Sequence, residues 1–299
     1  MADGTRGGDG HAAMPARSPV AVLRGGTGLA VRFWGVRGSI PCGGRDVMRY
    51  GGNSSCVELM CGTRRLILDA GTGLRYLGEA LMAEGRQDLD IFLSHAHLDH
   101  LFGIPFFRPL FEAGNKVRIW SGHLEGGLKT EDAVRAMMAP PLFPITPDAF
   151  AAELEFRDFR AGDTLEPFPD VAIATAPLQH HNGATGYRIC HGGRSIAYVT
   201  DTEHEGEALD ERILALVKGA DLMIYDATYT DEEYPKYRGW GHSTWQVGVR
   251  LAKEAGVKRI AAFHHDPLHD DGFLDRMGRQ MRAAFKGAFV AREGLLVEV

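Results

Sequence analysis

From Leu29 onward, apolar positions occur in short runs separated by polar, Gly-rich breaks. Residues 29–41, "LAVRFWGVRGSIP", read as a strand ending in a Gly-rich turn. "SCVELMC" and "RRLILDAG" follow as a hairpin joined at Gly62, and "GLRYLGEALMAEG" has helical spacing and a Gly stop. The strand "LDIFLS" leads into "SHAHLDHLFGIP" and a short helix reaching Phe107. "KVRIW" is a strand, and "TEDAVRAMMAP" is a helix stopped by Pro140 and Pro141. "ELEFRDF", "VAIATA", "TGYRIC" and "RSIAYVT" are strand-like. Helices are expected over "EALDERILALV", "STWQVGVRLAKEAG" and "FLDRMGRQMRAAF", and strands over "ADLMIYDAT" and "VKRIAAFHHD". "AFVAREGLLVEV" closes the chain as a strand pair.

The short strands recur too often for a purely parallel βαβ sheet. An α/β (α+β) arrangement fits better, with two mixed sheets flanked by helices on both outer faces. Residues 1–28 lack such patterning, are rich in Gly, Ala and Pro, and read as a disordered tail that includes His11. Residues 29–299 then form one domain, with a Pro-rich excursion around 139–150.

Bulk chemistry narrows the partners. The 33 basic and 39 acidic residues give a formal charge of −6, which argues against an extended nucleic-acid surface. No apolar run approaches the ~18 residues of a membrane span, and the first residues lack the apolar stretch of a signal peptide. Cys42, Cys56, Cys61 and Cys190 show no paired spacing, so free thiols in a reducing cytoplasm are expected.

The chemistry concentrates at strand ends. "LDIFLS" runs into His95, "VAIATA" ends just before "PLQHHNG", "IAYVT" ends at Asp201, and "IAAFH" ends at His264. One histidine after a strand usually caps or packs, but four ligand-type endings suggest a site at one sheet edge. Within "HAHLDH", His95 and His97 face one way if the backbone is extended, while Asp99 and His100 turn elsewhere. Imidazole and carboxylate together suit zinc, manganese or iron. Two cations ~3.5–4 Å apart need a shared carboxylate, for which Asp201 is the natural choice.

"HAHLDH" resembles the HxHxDH signature of the metallo-β-lactamase superfamily. "LILDAGTG", "PLQHHNGATGYRI", "YVTDTEH", "YDATY", "GWGHST" and "FHHDP" resemble, in order, blocks of its phosphodiesterase branch, which includes ribonuclease Z. The opening "FWGVRGSIPCGG…RYGGNSSC" resembles cyclic-nucleotide phosphodiesterase-like members. Coverage runs from about residue 30 to 299. The resemblance implies an αββα sandwich and two divalent ions, zinc foremost. One ion takes His95, His97 and His180, the other takes Asp99, His100 and His264, and Asp201 bridges them. His180 is favoured over His181 because His181 fills a place often held by Pro. His264 is favoured over His265 as first after its strand. The resemblance also implies that similar chains are often homodimers.

A water shared by two divalent ions loses a proton near neutral pH, and the hydroxide attacks an electrophilic centre. "YDATY" takes the place of a block whose acidic residue orients the His of the later HST block. Asp226 therefore orients His242, a pair suited to a phosphate oxygen or a leaving alkoxide. Asp99, Asp226 and His242 form the expected catalytic set. Asp69 anchors the metal loops by hydrogen bonds. Asn53, Ser54, His204 and His265 are candidates for contact with substrate. The Met- and Phe-containing excursion either covers an apolar group of the ligand or simply packs on the domain.

The leading expectation is a hydrolase of small phosphodiesters, with cyclic nucleotides first. No long Gly/Pro/Lys-rich arm of the kind that grips tRNA is visible. An RNA-trimming nuclease is the runner-up. A non-catalytic, metal-containing ligand sensor is the third reading, and the complete ligand set argues against it.

Overall fold

The computed structural model describes residues 28–299. The proposed tail lies outside the described residues, apart from Gly28. Fourteen strands form two seven-stranded mixed sheets. The first comprises β1 (Leu29–Gly35), β2 (Cys56–Cys61), β3 (Arg64–Leu68), β4 (Asp88–Leu93), β5 (Lys116–Ser121), β6 (Glu153–Asp158) and β14 (Leu296–Glu298). Its order is β14-β1-β2-β3-β4-β5-β6, antiparallel up to β3 and parallel from β3 to β6. The second comprises β7 (Thr164–Phe168), β8 (Val171–Leu178), β9 (Ala184–His191), β10 (Arg194–Val199), β11 (Leu222–Asp226), β12 (Ile260–Phe263) and β13 (Ala288–Val290). Here β10 to β13 are parallel, and β7 to β10 are paired antiparallel.

Period-two alternation divides each buried strand between two cores. On β4, Leu89, Ile91 and Leu93 pack outward, while Phe92 points into the gap between the sheets. On β12, Ile260 and Ala262 pack outward and Ala261 and Phe263 inward. Helices α1 (Gly73–Leu81) and α2 (Thr130–Met137) cover the first sheet. Helices α3 (Glu211–Val217), α5 (Trp245–Glu254) and α6 (Asp271–Ala284) cover the second. The short α4 (Tyr234–Tyr237) stands in the connection before α5. The layers are thus helix, sheet, sheet, helix.

Three local expectations are corrected. The last two strands do not pair with each other: β13 extends the second sheet beside β12, and β14 extends the first beside β1. The link between them, turned at Glu293 and Gly294, carries the chain from one sheet to the other. From Leu98, within "HAHLDH", the chain makes three 3₁₀ turns, Leu98–His100, Ile104–Phe106 and Arg108–Phe111, rather than one helix. Pro105 and Pro109 each remove a backbone donor there. Strand β7 lacks the apolar alternation of its neighbours and was not anticipated. The Pro-rich excursion packs on the protein through Phe143, Ile145 and Phe150, which lie against the core that includes α2, while Leu142 is its exposed large apolar side chain, 79% exposed.

Candidate metal centre

The parallel strands end on one edge, and three of their exits share a backbone feature. Asp69 after β3, Asp201 after β10 and His264 after β12 have φ of 60°, 55° and 59°. Non-Gly residues avoid this left-handed region, which costs about 1–2 kcal/mol each. Such strain clusters at functional sites. Here the turn swings each side chain off its strand and into the space between the sheets.

Seven side chains converge there. His95, His97 and His180 form one group of ligand-type atoms, and Asp99, His100, Asp201 and His264 form another, each within 4.8 Å internally. Asp201 lies between them. Its Oδ1 is 3.8 Å from His95 Nε2, 3.8 Å from His180 Nε2 and 3.2 Å from His264 Nε2, and its Oδ2 is 3.3 Å from His100 Nε2. The half-sites implied by the sequence motif are therefore the groups the fold assembles.

The donor set fits divalent cations. His100 Nε2 is fully enclosed and faces Asp99 Oδ2 and Asp201 Oδ2 at 3.2 and 3.3 Å, and His95 Nε2 is fully enclosed with no hydrogen-bond partner. Buried polar atoms are seldom left so. Their other nitrogens are occupied: Ser94 Oγ is 3.0 Å from His95 Nδ1, and His100 Nδ1–H donates to Asp69 Oδ2 at 2.8 Å. His180 Nδ1–H donates to the Gly241 carbonyl at 2.8 Å, leaving Nε2 free to face Asp201. Thr228 Oγ1 is 3.0 Å from His264 Nδ1. This is the arrangement by which neighbours set the tautomer of a ligating imidazole. Burial foremost, with His100 nearby, holds His95 well below its ordinary pKa, and burial lowers His180 to about 4, so both present neutral rings. At His100, burial acts the same way but is outweighed by Asp99, Asp201 and Asp69, which raise it.

The model of the "Beta-lactamase superfamily domain" matches residues 64–265, more than half of the chain. This chain belongs to the β-lactamase superfamily. It is 24% identical over 322 aligned positions to a ribonuclease Z from Gemmatimonas aurantiaca, covering 91% of this chain and 96% of that protein. It is 25% identical over 272 positions to ribonuclease BN of Escherichia coli K12, covering 76% and 87%. Among solved structures, the metallo-β-lactamase fold protein YhfI from Bacillus subtilis superposes with TM-score 0.69 at 19% identity, covering 91% of this chain and 99% of that one. A diphosphatase from the PhnP family gives 0.67 at 19% (91% and 97%). The short form of human tRNase Z gives 0.63 at 21% (90% and 98%).

Beside the superfamily's metal motif lies a carboxylate–imidazole pair. Asp226, the last residue of β11, takes His242 Nδ1–H on Oδ2 at 3.1 Å. Asp226 is itself fixed by Thr202 N–H at 3.2 Å, Thr228 N–H at 3.0 Å and Thr228 Oγ1 at 2.7 Å. The His242 ring sits 4.8 Å from that of His264 and 5.4 Å from that of His180. Burial opposes protonation of His242, but Asp226, aided by Asp201 and Asp99, outweighs it and raises the imidazole to about 9. His242 also falls within a group with His180 and Asp201. Because Asp226 occupies its Nδ1, we place His242 beside the metal set rather than in it.

Asp69 is enclosed at the base. It accepts from Ser94 N–H at 2.6 Å, Ser94 Oγ at 2.9 Å, Tyr198 OH at 2.7 Å and His100. Gly241 (φ 83°) and Gly38 allow the closest backbone approaches: a Cβ on either would strike the ring of His180 or of His264.

Three of the candidates for substrate contact are engaged within the protein. Asn53 is clamped between Glu293 (2.7 and 3.1 Å) and Thr72 (3.1 Å). Ser54 is fully buried and exchanges hydrogen bonds with Thr72 at 2.9 Å each way. His265 is fully buried and donates from Nε2 to the Ala291 carbonyl at 2.9 Å. All three brace loops through these bonds, although His265 Nδ1 is buried without a partner. His204, by contrast, lines a cavity of about 420 Å³ and stacks on Tyr234 at 4.3 Å. His123 went unnoticed in the sequence. It follows β5, lies 6.3 Å from the His95 ring, and lines the cavity of about 580 Å³ beside His95 and His97. The signal was present: "KVRIWSGH" is another apolar strand that runs out into a histidine.

Proposed function

We propose that this chain is a metal-dependent hydrolase of small phosphodiesters, cyclic nucleotides being the leading class, and that it works with two divalent ions, zinc foremost. The observation that carries the reading is the Asp226–His242 pair beside the seven-residue cluster. His95, His97, His180, Asp99, His100, Asp201 and His264 would hold the divalent ions, which would supply Lewis acidity and neutralise charge at a phosphoryl centre. Asp226 is a positioning residue that holds His242 Nδ1–H, which leaves Nε2 as the nitrogen available to substrate. A protonated His242 binds a non-bridging phosphate oxygen or delivers its Nε2 proton to the departing alkoxide. Ser39 N–H and His264 fix Asp99 Oδ2 at 2.8 and 3.3 Å, so this carboxylate is oriented before substrate arrives.

The names of relatives support hydrolysis at phosphorus: two are ribonucleases, which cleave phosphodiesters, and a structural neighbour is a diphosphatase. A second reading, RNA-end trimming, is favoured by the ribonuclease Z relative that aligns over 91% of the chain. A panel of cyclic nucleotides, bis-p-nitrophenyl phosphate and short RNA, assayed on protein of measured metal content, decides between them. Failure to cleave any of these sinks the proposal, and cleavage of RNA alone selects the second reading. His242→Ala should keep its metal and lose about 10²–10⁴-fold in turnover; unchanged turnover would remove His242 from the mechanism.

A further inference from the structure

We propose that Trp240 is a stacking platform for a nucleobase, so that the substrates are nucleoside-bearing phosphodiesters. This rests on the phosphodiesterase reading above. Trp240 is 60% exposed, although it lies two residues from His242. A solvated indole forgoes the burial that normally stabilises tryptophan. This one is nevertheless held on a rigid loop. Glu203 takes Gly239 N–H on Oε1 at 2.6 Å and Gly241 N–H on Oε2 at 2.8 Å. His181 Nε2–H donates to the Gly239 carbonyl and His180 Nδ1–H to the Gly241 carbonyl, both at 2.8 Å. Trp240 N–H donates to the Tyr237 carbonyl at 3.0 Å. Both glycines have positive φ, 86° and 83°, so the turn depends on them. The backbone on either side of Trp240 is thus tied to a histidine of the metal cluster and to that histidine's neighbour.

Aromatic contacts link the indole to His242. Trp240 meets Tyr237 edge to face at 5.4 Å, Tyr237 lies flat on Tyr229 at 4.4 Å and 4°, and Tyr229 meets the His242 ring at 6.1 Å. The series starts at the solvent and ends at the group assigned to phosphate or leaving oxygen. An exposed aromatic surface on a fixed loop, two residues along the chain from His242, matches a purine or pyrimidine, because every base has a π-face. Stacking reads no base edges, so little preference among bases is expected.

The test uses the full metal-loaded chain and its own fluorescence. Trp34 and Trp245 are buried and Trp120 is stacked on Phe92, so Trp240 is the exposed fluorophore. Adenosine and uridine monophosphates should quench emission saturably, whereas ribose 5-phosphate should not. Trp240→Phe should lose the quench yet retain affinity in a competition assay. Trp240→Ala, a surface change that leaves the fold intact by circular dichroism, should weaken nucleotide binding about ten- to a hundredfold. Its affinity for ribose 5-phosphate should not change. Equal nucleotide affinity in Trp240→Ala and wild type overturns the proposal. So does wild-type binding no tighter for nucleotides than for ribose 5-phosphate. A shift in oligomer mass in Trp240→Ala with unaltered nucleotide affinity also overturns it, and would place the indole in a contact between copies. If wild type hydrolyses bis-p-nitrophenyl phosphate while Trp240→Ala binds nucleotide normally, only this inference falls. If nucleotides bind through Trp240 but nothing is hydrolysed, only the catalytic reading falls.

Discussion

Asp69 Oδ2 accepts the Nδ1 proton of His100 at 2.8 Å, across 31 residues of sequence and with both side chains fully buried. The same oxygen takes Tyr198 OH from the opposite sheet. One carboxylate therefore joins the two sheets and fixes which nitrogen of His100 faces Asp99 and Asp201.

Asp69→Ala would strand the donors of Ser94, Tyr198 and His100 in the core. Each buried donor left unmade costs about 1–3 kcal/mol, and loss of an orienting partner costs about 10–100-fold in metal affinity. We expect a clear fall in melting temperature together with weaker metal retention in a chelator competition. Wild-type values for both would refute this role of Asp69.

Gly38 lies against the His264 ring so closely that an added Cβ would overlap it. His264 cannot move aside, because it is fully buried and its carbonyl and Nδ1 both face Thr228 Oγ1 at 2.8 and 3.0 Å. Gly38→Ala should therefore reduce the metal content of the half-site holding His264 while the His95/His97/His180 group still binds. Metal analysis giving a full complement for the variant would argue against this.

The thiols should divide by burial. Burial pushes the Cys61 thiol up to about 12 and the Cys56 thiol well above its ordinary value. At pH 8 both remain protonated in the native state, and only the thiolate is nucleophilic. A thiol reagent should modify Cys42 and Cys190, which are partly exposed, and reach all four only on unfolding. Cys42 should react slowly, since burial raises it too, against the opposing effect of Arg37. Mass spectrometry showing native modification of Cys61 would contradict this.

The local sequence determined the chemistry. Apolar runs that stop at His95, Asp201 and His264 specify strands and what stands at their ends, because period-two burial and ligand type are both written locally. The spacing of "HAHLDH" likewise separates His95 and His97 from Asp99 and His100. Tertiary structure decided what each polar group faces. Asn53, Ser54 and His265 look like site residues in sequence, yet in the fold they are tied to Glu293, Thr72 and Ala291. The split of β13 and β14 between sheets, and the path from Trp240 to His242, depend on contacts between distant segments. A hydrogen bond or ring contact is satisfied by whichever partner the fold brings within a few ångströms, and no local pattern records which one that is.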